Sequence, residues 1–344
     1  VEKIQDMVEE VLIRYEYPKV AKAYILYRAK RNEMRADKQV VVEVEKTISE
    51  YLEKVDWRVN ANANQGYSIG GMILNTAGKV TANYWLSHIY PKDIGDLHRN
   101  ADIHIHDLDM FSGYCAGWSL RALLEEGFNG VDNKIESGPP KHLTSAVAQM
   151  VNFLGTLQNE WAGAQAFSSF DTYLAPYVKK YELELRKELT DVGCTSNEAC
   201  EGYITKKVYD YVYQNMQSFV FNLNIPSRWG TQTPFTNITL DWDCPEDLKT
   251  KRLLLGGMPF AYTFGELQKE MNLINHAFIQ VMMKGDAKER SFTFPIPTYN
   301  IGKDFRWDDP ANLPLFEMTA KYGTPYFQNF INSDMNPGDV RSMC

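Results

Sequence analysis

Apolar residues over the first 36 positions recur at helical spacing. Val8, Val11, Leu12 and Tyr15 mark one stripe, and after Tyr17-Pro18 a second, Val20, Ala21, Ala23, Tyr24, Leu26 and Tyr27, runs into the basic stretch Arg28 to Arg35. The pattern predicts two helices there and a third from Gln39 to Val55. A loop dense in Asn and Gly, Asn60 to Gly71, separates these from helical patterning at Met72 to Tyr90 and Pro91 to Arg99. The run Asp102-Ile103-His104-Ile105-His106-Asp107-Leu108-Asp109 then alternates polar and apolar, as a strand with one polar face does.

Further along, Gly127 ends a short helix begun near Trp118, and Pro139-Pro140 opens a helix from His142 to Trp161. Two charged helices follow, Phe170 to Leu189 and Glu198 to Gln217. Strands are predicted at Phe219 to Asn224, Phe235 to Trp242, Phe292 to Tyr299 and Tyr326 to Ile331, with helices at Phe264 to Lys284 and Pro310 to Tyr322. Strands separated by helices point to an α/β sheet or barrel.

Composition narrows the function classes. At 344 residues, 44% of them hydrophobic, the chain can bury a large core. A net charge of -8 argues against a general grip on nucleic acid, because phosphate neutralisation needs a cationic surface. No apolar run is long enough to span a bilayer and none reads as a signal peptide, so with five cysteines at irregular spacing a reduced cytosolic compartment is the expectation. Cys194 and Cys200 lack the tight Cys-x-x-Cys step and read as structurally incidental thiols. Neither a Walker-type phosphate loop nor a Gly-x-Ser-x-Gly elbow occurs, so hydrolase readings lack their usual anchors.

The candidate chemistry lies in three places. On a strand His104 and His106 share one face, with Asp107 on the other and Asp109 beside it; the set reads as a polar substrate wall, a metal site without an evident third ligand, or structural hydrogen bonding. Asn60, Asn62, Asn64 and Ser68, followed by Gly70-Gly71, offer amides and a hydroxyl where a ligand can approach the backbone, or simply decorate a turn. Cys115 sits among small residues, and Cys344 closes an acidic Pro/Gly loop that presents a sulfur; a buried inert thiol is the default for each.

The motifs together resemble a known family. Asn60-Ala61-Asn62-Ala63-Asn64 with Tyr67-Ser68-x-x-Gly71, His98-Arg99-Asn100-x-Asp102-Ile103-His104-Ile105-His106-Asp107-Leu108, Gly138-Pro139-Pro140-Lys141-His142-Leu143, and Asn329-Phe330-Ile331-Asn332-Ser333-Asp334 through Arg341-Ser342-Met343-Cys344 occur in that family's order. The chain is similar in this to the anaerobic, glycyl-radical ribonucleoside-triphosphate reductases. Residues 1–36 resemble the closing helices of an ATP-cone, the regulatory domain that senses ATP and dATP, and 37–344 the first half of the catalytic barrel.

The resemblance implies a ten-stranded α/β barrel in which Cys344, on a finger loop, becomes a thiyl radical and Cys115 supplies reducing hydrogen across the substrate. Asn62, Asn64, Ser68, His104, His106 and Asp107 would line the substrate side, with Ser342 and Met343 beside Cys344. It further implies a homodimer, dNTP effectors, ribonucleoside triphosphates as substrates, a radical-SAM activating enzyme, and formate or a redoxin as reductant, in the cytoplasm. The glycyl-radical loop and a four-cysteine zinc site are expected beyond Cys344, no metal within this sequence. The chain is therefore expected to be the front part of a larger enzyme, inactive and prone to aggregate by itself. A different glycyl-radical enzyme, a lyase or acyltransferase, and a non-catalytic nucleotide-binding or dimerising fragment are the competing readings.

Overall fold

In the computed structural model, the described residues are 2–56, 59–60, 66–129, 135–194, 198–226 and 233–335. They divide into two compact units, one of residues 1–61 and 67–110, the other of 62–66 and 111–344.

The first unit is helical. α1 (Glu2–Arg14) folds back on α2 (Pro18–Leu52), pinned by Arg28, which donates to Asp6 at 2.7 Å and Glu9 at 2.9 Å. Pro18 opens α2 at a position where its missing N–H is not needed. The helix then continues without the break expected between residues 36 and 39. The stripe on α1 is largely uncovered, with Val8 and Val11 both exposed. α3 (Ile69–Tyr84) extends into a π turn, Trp85–Ile89, and α4 (Lys92–Arg99) follows.

The polar/apolar run 102–109 is not a strand, which corrects the expectation from its alternation. It wraps the end of α4: Ala101 and Asp107 have positive φ, the Asp102 N–H bonds the Leu97 carbonyl, and the Ile105 N–H bonds His98 Nδ1. With Ile103 exposed, the alternation has no core to serve.

The second unit is built on a parallel sheet. β1 (Ala116–Trp118) leads to α5 (Leu120–Glu126), capped by Ser119 and ended by Gly127 at φ 90°, then α6 (Leu143–Leu157). β2 (Gln165–Phe167), α7 (Phe170–Asp191), α8 (Glu198–Leu223) and β3 (Thr236–Leu240) come next. A short α9 (Glu246–Lys249) precedes an antiparallel hairpin, β4 (Arg252–Leu255) and β5 (Met258–Thr263), and α10 (Gln268–Lys284), β6 (Ile296–Ile301), α11 (Leu313–Tyr322) and β7 (Tyr326–Asn329) complete the unit.

The strand order is β1-β2-β3-β6-β7, every pair parallel. Crossovers that all advance in one direction, with the usual right hand, lay their helices on one face of the sheet. Phe167, Ile238, Leu240, Tyr299 and Ile301 alternate onto that face and join a single core with Leu174, Val212, Met216, Phe219, Phe278 and Leu315. Most of these are fully buried, each such side chain contributing about 1.5–3 kcal/mol.

Two further expectations need correction. Phe219 to Asn224 is not a strand but the last turns of α8, since Val212, Met216, Phe219, Val220 and Leu223 are all fully buried at helical spacing. Asn224 closes that helix on the entry to β6: its Oδ1 accepts the Thr293 and Phe294 N–H groups and its Nδ2 donates to the Phe294 carbonyl. Cys194 and Cys200, read as incidental thiols, form a disulfide with Cα atoms 6.5 Å apart. The packing of α8 against α7, which also joins Arg186 to Glu201, brings them within bonding reach, which sequence spacing alone does not reveal. Among the described residues no helix is long and apolar enough to cross a membrane.

Candidate active site

In the first unit, the turn after α4 gathers three imidazoles. His104 lies 5.7 Å from His98 and 5.5 Å from His106, ring centre to ring centre. His106 Nδ1 is 3.0 Å from Asp107 Oδ2. The two predicted histidines are thus neighbours, as on a strand, but a turn brings them together. Sequence reasoning missed His98, although it stands within the same motif; it occupies the last turn of α4 and orders the segment by accepting the Ile105 N–H. Partial burial, then the neighbouring His104 and Arg99, lower its pKa below the usual imidazole value. Among the described residues no group of three or more His, Cys, Asp or Glu side chains is arranged to hold a metal ion.

Ser68 is the N-cap of α3. Its Oγ accepts the Gly71 N–H at 2.9 Å, and its own N–H donates to Tyr51 Oη at 3.0 Å. The predicted substrate hydroxyl therefore already performs a structural task. Asn62, Asn64, Ser342, Met343 and Cys344 lie outside the described residues.

Cys115 belongs to the second unit, immediately before β1, and is half-buried. Its neighbours are held close: the Gly163 N–H bonds the Tyr114 carbonyl and the Ala116 N–H bonds the Ala164 carbonyl. A Cβ on Gly163 would stand 2.6 Å from the Tyr114 carbonyl and 3.1 Å from Cys115 Sγ, so only glycine lets β2's approach seat the thiol there. Cys244, by contrast, is buried, and burial followed by the charges of Asp241 and Asp171 pushes its thiol up to about 12. It is an inert core sulfur.

Sequence reasoning also missed two buried carboxylates just past the carboxyl ends of β2 and β3, the region where open α/β sheets bind ligands. Asp171, on the first turn of α7, accepts the backbone N–H groups of Asp241 at 2.8 Å and Trp242 at 2.9 Å, and Asn275 Nδ2 at 2.8 Å. Asp241 accepts Thr172 Oγ1 at 2.6 Å and Asn300 Nδ2 at 2.8 Å. Burial raises both; Asp241, with the charge of Asp171 beside it, reaches about 7. Their partners stand about 60 to 100 residues apart in sequence, beyond any spacing rule.

The family model described as "Anaerobic ribonucleoside-triphosphate reductase" matches residues 61–344, and the "ATP cone domain" model matches 1–33. Curated relatives include the anaerobic ribonucleoside-triphosphate reductases of Haemophilus influenzae, 28% identical over 68% of this chain and 33% of the relative, and of enterobacteria phage T4, 26% identical over 58% of this chain and 34% of the relative. The chain spans about a third of the length of these relatives. Among solved structures, the anaerobic ribonucleotide reductase from Thermotoga maritima in complex with dATP and CTP shares the fold, with a TM-score of 0.59 at 18% identity, over 88% of this chain and 50% of that one.

Proposed function

Because the chain belongs to the anaerobic ribonucleoside-triphosphate reductase family, we propose that it contributes the substrate-facing strands of an enzyme that converts ribonucleoside triphosphates to 2′-deoxyribonucleoside triphosphates. The observation that carries this reading is the family match over residues 61–344. Cys115, at the head of a parallel sheet whose strands advance in order, supports it.

In this reading the five strands are half of a ten-stranded barrel. A glycyl radical installed by a radical-SAM partner would supply the unpaired electron, and Cys344 is the residue of this chain that would receive it. Cys344 relays it by taking the hydrogen atom at C3′ and later returning it. The 2′-hydroxyl leaves as water, and Cys115 delivers hydrogen to the sugar. Two electrons enter from formate, which becomes carbon dioxide, or from a redoxin dithiol, which becomes a disulfide. His104, His106 and Asp107 orient the nucleotide, with His98 fixing their turn, and Asn62, Asn64, Ser68, Ser342 and Met343 complete the wall. The ATP-cone residues answer to ATP and dATP, dNTPs act as specificity effectors, and the enzyme works as a homodimer.

The test is anaerobic reduction of CTP by the gene product that carries this chain, after radical activation. Cys344→Ser and Cys115→Ser each abolish dCTP formation, whereas Cys244→Ser retains it. Activated protein that binds CTP yet forms no dCTP would sink the reading.

A further inference from the structure

The helices cover one face of the five-stranded sheet, and the opposite face is polar. Strand register places Thr239 beside Thr298, with Asn237 two positions before on β3, and Asn300 beside Gln328. Side chains two apart on a strand share a face, so all five point away from the apolar core. Ala166 on β2 and Ile296 at the entry to β6, both beside Asn237, are the apolar members of this face, and the Tyr326 ring stands beside Thr298.

Four oxygens on this face, Asn237 Oδ1, Thr239 Oγ1, Asn300 Oδ1 and Gln328 Oε1, are buried without a hydrogen-bond partner. Asn237, Thr239 and Asn300 are each more than nine-tenths buried. Native proteins rarely leave one such group unsatisfied, and here four cluster on three adjacent strands.

The set is also oriented. Asn300 gives its Nδ2 to Asp241 at 2.8 Å, which leaves Oδ1 as the free end of the amide. Asp241 is fixed by Thr172, and the Asp241 N–H by Asp171. No Lys, Arg, Asp or Glu occupies this face within β3, β6 or β7, so it does not recognise phosphate. Neutral carboxamide and hydroxyl oxygens instead match a ligand that presents several O–H donors on one edge.

We propose that this face is a sugar-binding floor, on which Asn237, Thr239, Asn300 and Gln328 accept hydrogen bonds from the ribose hydroxyls of a ribonucleotide, with Asp241 as the positioning residue for Asn300. The proposal rests on the reductase reading and adds to it the group that reads the sugar.

The experiment is calorimetric titration of the gene product carrying this chain with CTP and with 2′,3′-dideoxy-CTP, in wild type and in Thr239→Val, Asn300→Ala and Asp241→Asn. Thr239→Val keeps volume, and thermal denaturation confirms that each variant folds. Each variant weakens CTP about tenfold, the effect of losing one such contact, and leaves dideoxy-CTP binding unchanged. Asp241→Asn combined with Asn300→Ala is no worse than Asn300→Ala alone, because the aspartate acts through the amide. CTP affinity unchanged in folded Thr239→Val and Asn300→Ala, or equal losses for both nucleotides, would overturn the floor while leaving the reductase reading intact. A wild-type protein that binds no CTP overturns both.

Discussion

Arg186 holds two glutamates at once, donating to Glu182 on its own helix α7 at 2.8 Å and to both oxygens of Glu201 on α8 at 2.7 and 2.9 Å. Burial pushes Glu182 up, but the hydrogen bonds from Arg186 and Lys179 outweigh it and bring its pKa down to about 2. A carboxylate depressed in the folded state contributes stability above its ordinary pKa and loses it as pH falls towards 2. Arg186→Met is expected to cost about 1–2 kcal/mol in urea unfolding at pH 7, discounted for the partial exposure of the guanidinium, and to move the acid-unfolding midpoint upward.

Asp241 shows the opposite sign. Its folded pKa, raised to about 7, means that the native state holds the proton more tightly than the unfolded chain. Its contribution is complete below about pH 4 and is lost as pH rises through about 7. Asp241→Asn is expected to remove a downward slope in unfolding free energy across that window, and Asp171→Ala, which strands two backbone N–H groups and Asn275, to cost about 3 kcal/mol or more. A flat wild-type profile between pH 4 and 7 would contradict this assignment.

Gly163 and Gly155 make a controlled pair. Gly163→Ala forces β1 and β2 apart beside Cys115 and is expected to cost about 1–3 kcal/mol and, on the proposed function, most of the dCTP formation by the gene product that carries this chain. In α6 nothing stands within 4 Å of a Cβ on Gly155, so Gly155→Ala is expected to be stabilising by about 0.5–1 kcal/mol with activity retained. Thermal unfolding and the CTP assay distinguish the two.

The Cys194–Cys200 bridge closes a short loop, for which chain entropy gives about 2 kcal/mol. Cys194→Ser is expected to lower stability by that order. Alkylation under native, non-reducing conditions should label Cys115 and spare Cys194 and Cys200, and peptide mapping reads the difference.

The long helices were legible in the sequence because their apolar period is sustained over several turns, as in α7 and α10. β1 and β2 were not, since three-residue strands are too short to express an alternation. The β4–β5 hairpin does carry a signal in the sequence: Gly256-Gly257, both at positive φ, between two apolar runs. At the site, the histidine motif was visible but its conformation was not, because alternation without a burying surface does not make a strand. The Asp171 and Asp241 hub and the polar sheet face were invisible, since their members come from five elements, α7, β3, α10, β6 and β7, that only the fold assembles.

The joint that Asn224 makes with Phe294 links positions 70 residues apart, as does the bond between Asp171 and Asp241. Parallel pairing of this kind offers no local zipper: each new strand must wait for an intervening helix to collapse before its ladder repays the loop it closes. The sheet is consequently a late and slow product of folding, and β7, with Tyr326 and Phe327 still exposed, is the growth point most open to capture by another chain during synthesis.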